Sequence, residues 1–139
     1  DKNNREVEMN ILVGYDGSNV SMSAVKLALK HGELNQTEID VVRIKAQSPT
    51  LLYEEIQKVE REFEDEIENL LKDTTSKYHT HLIVTTQSAG EALVEFAKKN
   101  QSLEIIIGVR RRSKVGKMVF GSTAQYVILS ATCPVVTIK

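Results

Sequence analysis

The sequence predicts an open, parallel α/β sheet of five strands with helices on both faces. Three observations carry this expectation. Five short apolar runs alternate with four longer stretches of helical spacing, and such alternation packs as a parallel sheet between helical layers. The run Leu103 to Val109 holds three consecutive isoleucines without polar alternation, which marks a strand buried on both faces. The length, 139 residues with 41% hydrophobic side chains, suits one domain with a core and is too short for two.

Asp1 to Glu8 reads as a flexible, solvated lead-in, and residues 9–139 as the domain. Met9 to Tyr15 is the first strand, broken by the turn residues Gly14-Tyr15-Asp16-Gly17-Ser18. Ser18 or Asn19 caps a helix from Val20 to about Leu34, with Ala24, Val25, Ala28 and Leu29 at helical spacing. Ile39 to Ala46 is the second strand. Ser48-Pro49-Thr50 is expected to start the next helix, since proline suits a first turn. Its stripe is Ile56, Val59, Phe63, Ile67, Leu70 and Leu71, and eight acids lie between Glu54 and Glu68 on its other face. The stripe reads as core and the acids as a solvated face.

The third strand is placed at Leu82 to Thr86. A helix follows from Ala89 through Lys99, then the strand Leu103 to Val109. A basic loop runs from Arg110 to Lys117. Gly121-Ser122-Thr123 opens a helix through about Ala131, and Val135 to Lys139 is the last strand.

The net charge is −1, from 18 basic and 19 acidic residues. The total conceals a segregation. Arg110, Arg111, Arg112, Lys114 and Lys117 form a basic run without an acid, leaving 13 bases against 19 acids elsewhere, about −6. An acidic body with one basic loop points to a small anionic ligand rather than nucleic acid. No apolar run approaches the ~20 residues that cross a bilayer, and the polar start does not read as a signal peptide. The single cysteine, Cys133, permits no intrachain disulfide and reads as a small buried residue. A cytoplasmic setting without membrane insertion is the expectation. His31, His79 and His81 lack metal-ligand spacing with any cysteine, so no metal site is expected on the protein.

In open α/β sheets, ligands bind beyond the C-terminal ends of the strands, where strand order switches. Gly14 to Ser18, Ile44 to Gln47 and Gly108 to Thr123 occupy such positions. The third segment carries the most chemistry. A helix N-terminus offers unpaired N–H groups and partial positive charge. Glycine allows close approach, Ser122 and Thr123 add hydroxyl donors, and Arg110 and Arg111 present forks that match phosphate oxygens. The Walker A and G-x-G-x-x-G fingerprints are both absent. Asp16 reads either as a turn stabiliser or as a ligand contact.

Three segments carry a family resemblance. These are Ile11-Leu12-Val13-Gly14-Tyr15-Asp16-Gly17-Ser18, the stretch from Gly108 through Gly121-Ser122, and Ala131-Thr132-Cys133-Pro134-Val135-Val136. Together they resemble the universal stress protein family over nearly the whole chain. The resemblance implies a Rossmann-like sheet in the order 3-2-1-4-5 and a homodimer paired through the last strand. It implies a nucleotide-binding regulator of the stress response, holding ATP or another adenine nucleotide with or without magnesium bridging the phosphates. Asp16 would bond the ribose or adenine end. Ile44 would meet adenine through its backbone, Gly108 would lie under the ribose, and Gly121, Ser122 and Thr123 would hold phosphates.

The family's nucleotide motif is G-x2-G-x9-G-[ST]. Gly108 and Gly121-Ser122 fill its ends at the right spacing, but Arg111 replaces the second glycine. Arg111 either fills the space a phosphate needs or grips the phosphate itself. A dimeric signalling module that binds partner proteins and no nucleotide is therefore the second reading. No general base or activated nucleophile is visible, so at most weak ATP hydrolysis is expected. An adenylating pyrophosphatase would carry S-G-G-x-D-S after its first strand, which this chain lacks.

Overall fold

The computed structural model describes residues 9–109 and 120–139. The expected lead-in, Asp1 to Glu8, and the basic loop with Arg110 and Arg111 lie outside the described residues. The elements are β1 (Ile11–Gly14), α1 (Asn19–Asn35), β2 (Ile39–Ala46), α2 (Tyr53–Leu70), β3 (Tyr78–Thr85), α3 (Ala89–Asn100), β4 (Glu104–Gly108), α4 (Ser122–Ser130) and β5 (Val135–Ile138). The five strands form one parallel sheet in the order β3-β2-β1-β4-β5.

β1 is the central strand, and its composition follows from that place. Ile11, Leu12 and Val13 are fully buried because the strand has neighbours on both edges and helices on both faces. The pleat then divides the core into two clusters. Ile11, Val13, Val41 and Ile106 pack against α1 and α2 through Ala24, Val25, Phe63 and Ile67. Leu12, Val42, Ile105 and Ile107 pack against α3 and α4 through Leu93, Val94, Ala97 and Val127. The isoleucine run of β4 is thus buried on both faces, as its lack of alternation predicts.

Two boundaries differ from expectation by four residues or more. β3 starts at Tyr78, four residues before Leu82, because its ladder with β2 begins by pairing Ile39 with Tyr78. The polar residues there hide the strand from hydropathy but find partners across it. His81 Nε2 lies 2.8 Å from Asp40 Oδ1, and His79 Nε2 lies 3.3 Å from Glu38 Oε2.

The second helix starts at Tyr53, not at Ser48-Pro49-Thr50. That group closes a turn instead: the Leu51 N–H donates to the Ser48 carbonyl at 3.1 Å. The helix is then capped by Glu55, whose carboxylate accepts from the Leu52 N–H at 3.3 Å. Only the C-terminal part of its stripe is core. Phe63, Ile67 and Leu71 are buried, whereas Ile56 and Val59 remain half-buried. Among the described residues no helix is long and apolar enough to cross a membrane.

Candidate functional site

Strand order switches between β1 and β4, since β2 and β3 lie on one side of β1 and β4 and β5 on the other. A cleft of about 320 Å³ opens at the C-terminal ends of these strands, within the size range of small-molecule sites. Gly14 to Asp16 after β1, Val42 and Ile44 on β2, and Ile107 to Val109 at the end of β4 form its walls. The starts of α1, α3 and α4 complete it through Ser18, Val20 and Ser21, Ala89 and Leu93, and Gly121 to Ala124. Asp16, Ile44, Gly108, Gly121, Ser122 and Thr123 are therefore brought together on one cleft. Arg110 and Arg111 lie outside the described residues.

The turn after β1 is built by its own side chains. Asp16 Oδ1 accepts from the Ser18 N–H at 2.9 Å. Ser18 Oγ accepts from the Ser21 N–H at 3.2 Å and so caps α1. The Ser21 hydroxyl donates back to the Ser18 carbonyl at 2.8 Å and accepts from the Asp16 N–H at 3.3 Å. Gly17 sits at φ +84°, a conformation that side chains rarely adopt. Asp16 therefore does stabilise its turn, and it also borders the cleft.

Gly108 is fixed by packing as much as by any ligand. A Cβ there would lie 2.8 Å from Val20 Cγ1 and 3.0 Å from the Val20 carbonyl carbon, so glycine is what lets α1 start against the end of β4. Gly121 is the opposite case. It has φ −64° and ψ 160°, open to any residue, and a Cβ would meet nothing among the described residues within 4 Å. Nothing in the packing of these residues demands glycine at this position.

The three helices that start at the cleft differ in one respect. Ser18 caps α1, and Ser88 caps α3 by accepting from the Glu91 N–H at 3.2 Å. The N-cap of α4 is Gly121, which has no side chain to cap with. Among the described residues no side chain caps the first N–H groups of α4, which carry the positive end of the helix dipole beside the cleft.

Beneath the turn, Tyr15 links the cleft to α2. Its ring stacks on Phe63 with centroids 5.6 Å apart, and its hydroxyl donates to Glu66 Oε2 at 2.6 Å. Burial, and next the bond to Glu66, push the phenol well above its ordinary pKa. Burial also raises the Cys133 thiol, which keeps it in the unreactive form.

No histidine lines the cleft. Each of the three instead faces a carboxylate, with His31 Nδ1 2.6 Å from Glu104 Oε1. Among the described residues no group of three or more His, Cys, Asp or Glu could hold a metal ion.

Sequence reasoning missed the α3 contribution, Ala89 and Leu93, and Ser21, while Ser18 lies in the Gly14 to Ser18 segment it placed at a strand end. The usable signal was the topology: the helices that follow β1, β3 and β4 start beside the cleft, whereas α2 after β2 does not.

The chain is thus a doubly wound α/β protein with its cleft at the switch in strand order, the place where such folds hold small ligands. It belongs to the universal stress protein family, which residues 9–139 match. It is similar to a universal stress protein of Methanocaldococcus jannaschii, at 24% identity over 148 residues, covering 99% of this chain and 86% of that protein. It is similar in structure to a universal stress protein from Archaeoglobus fulgidus, with 29% identity and a TM-score of 0.82, covering 94% of this chain and 98% of that one. A second similar structure is the universal stress protein from Archaeoglobus fulgidus in complex with dAMP. There the identity is 25%, the TM-score 0.79, and the coverage 96% and 99%.

Proposed function

We propose that this protein binds an adenine nucleotide, ATP foremost, and acts as a regulator in the stress response with little or no turnover. The observation that carries this reading is the α4 terminus. Among the described residues it is the one helix start at the cleft without a side-chain cap, and a Cβ at Gly121 would meet none of them within 4 Å. An anion seated there receives backbone N–H bonds and the helix dipole together. Ser122 and Thr123 add hydroxyls, and Asp16 and Ile44 stand on the opposite side for the ribose and adenine. Magnesium would accompany the nucleotide, neutralising charge on its phosphates. The relative in complex with dAMP supports the base and sugar class.

A homodimer through β5 accompanies this reading. β5 is an outer strand of the sheet, and neighbouring α4 leaves Ile128 and Leu129 exposed.

Calorimetry with ATP and magnesium tests the reading, and no heat of binding at millimolar nucleotide would refute it. Arg111 in place of the motif's second glycine favours the second reading, a dimeric module that signals through proteins. Under nucleotide binding, Arg111→Gly changes ATP affinity, upward if the side chain blocks and downward if it grips. Under the second reading, protein purified at low nucleotide releases no 260 nm absorbance after acid extraction.

A further inference from the structure

Arg43 is not part of the cleft wall, yet its guanidinium sits where it can govern the cleft. Its neighbours on β2, Val42 and Ile44, line the cleft, while Arg43 turns to the opposite face of the sheet. There its Nη1 lies 3.6 Å from Glu66 Oε2 on α2, and its Cζ lies 5.7 Å from the centre of the Tyr15 ring. That second distance is within reach of a cation–π contact. Glu66 is itself fixed by the Tyr15 hydroxyl at 2.6 Å. From this anchored place the guanidinium reaches Gly17: a Cβ there would be 3.7 Å from Nη1 and 3.8 Å from Nη2. A positive charge thus stands beside the Asp16-Gly17-Ser18 turn without lining the cleft.

We propose that Arg43, held by Glu66 and Tyr15, is a positioning residue that sets how the Asp16 turn meets the sugar and base end of the bound nucleotide. The inference rests on the nucleotide reading above. Two effects follow from the placement. The fork fills the space below Gly17, so the turn, whose left-handed glycine gives it freedom, has one resting position. The positive charge also lies beside the turn that carries the Asp16 carboxylate, where it attracts that carboxylate. The phosphate end would rest on α4, and Arg43, unlike Gly121 to Ala124, does not line the cleft. Arg43 therefore contributes to selectivity for a nucleoside and is indifferent to a bare polyphosphate.

The test uses Arg43→Met, Arg43→Lys and Glu66→Gln, with ATP and inorganic triphosphate as probes in magnesium-containing buffer. Ligand-free melting curves show that each variant is folded. Arg43→Met and Glu66→Gln should weaken ATP by about tenfold, the scale of one hydrogen bond to a charged group. Triphosphate affinity should stay within about twofold, and Arg43→Lys should recover part of the ATP loss through its retained charge. Glu66→Gln is isosteric at a half-exposed site, so it carries the test should Arg43→Met not fold. Unchanged ATP affinity in folded variants overturns the proposal, as does an equal loss for ATP and triphosphate. Wild-type protein that binds no ATP overturns the nucleotide reading and this proposal together. Wild type that binds ATP beside indifferent variants overturns only the role of Arg43.

Discussion

Gly121→Asp separates stability from binding with opposite signs. The backbone at Gly121, φ −64° and ψ 160°, matches the serine caps at Ser18 (−74°, 158°) and Ser88 (−64°, 156°). An aspartate there can adopt capping geometry at once, and its Cβ meets none of the described residues. Replacing glycine at an N-cap by Asp gains a few tenths of a kcal/mol. A negative charge at the N-terminus adds about 0.3–1 kcal/mol through the dipole. The sum is about 1 kcal/mol, which raises the melting temperature by about 3 °C in a domain of this size.

Binding moves the other way. The carboxylate takes at least one N–H bond that a phosphate would receive, worth about 1.5–3 kcal/mol. It also repels the phosphate by about 1 kcal/mol at ~4 Å in water and up to about 4 kcal/mol near the protein surface. A total of at least about 2.5 kcal/mol weakens ATP by roughly sixtyfold or more. Thermal melts without ligand and calorimetry with ATP and magnesium read the two signs separately. A lower melting temperature, or an ATP affinity within about threefold of wild type, would refute the idea that this terminus is an open cap awaiting an anion.

Three other substitutions test the frame around the cleft. Gly108→Ala forces a Cβ to within 2.8 Å of Val20 and should cost about 2 kcal/mol, seen as a urea midpoint lower by about 1 M. Phe63→Ala removes a side chain that is 1% exposed and stacked on Tyr15; a loss of about 3–5 kcal/mol in chemical denaturation is expected. Tyr15→Phe tests the buried phenol through pH. The folded protein holds its pKa above the unfolded value near ~10. Its stabilisation is therefore complete below ~10 and is lost as pH rises through the folded value. Unfolding measured between about pH 9.5 and 11 should show wild type losing stability more steeply than Tyr15→Phe, and equal slopes would count against the assignment.

Most of the fold was legible because its strands are apolar runs with no competing pattern. Ile105 to Ile107 can hardly be anything but a buried strand. The start of β3 was hidden, since Tyr78 to His81 gains its strand character only from Glu38 and Asp40 across the ladder. The proline near the second helix misled for a related reason: Ser48 and Leu51 satisfy each other in a turn before the helix can use them. The grouping of Asp16, Ile44, Gly108 and Gly121 to Thr123 on one cleft was readable from strand ends and the family resemblance. The network of Tyr15, Arg43 and Glu66 was not. It joins residues 51 positions apart, and Glu66 looks like any other member of an acidic helix face. Gly108 shows the same limit. Sequence spacing suggests a ligand role, while the contact with Val20 that also requires glycine belongs to the packing of α1 on β4.

The central place of β1 has a consequence for how the chain reaches this structure. One edge of β1 pairs with β2, which follows it closely in sequence. The other edge pairs Ile11 with Glu104, 93 positions later. The β1-α1-β2-α2-β3 half can assemble from contacts of short loop length, whereas the second edge waits for a closure that is slow to find. Until β4 docks, an apolar strand that ends fully buried presents a free row of N–H and C=O groups to any passing strand. Refolding yield should therefore fall with protein concentration, and a mutation that delays β4, such as Gly108→Ala, should make that fall steeper.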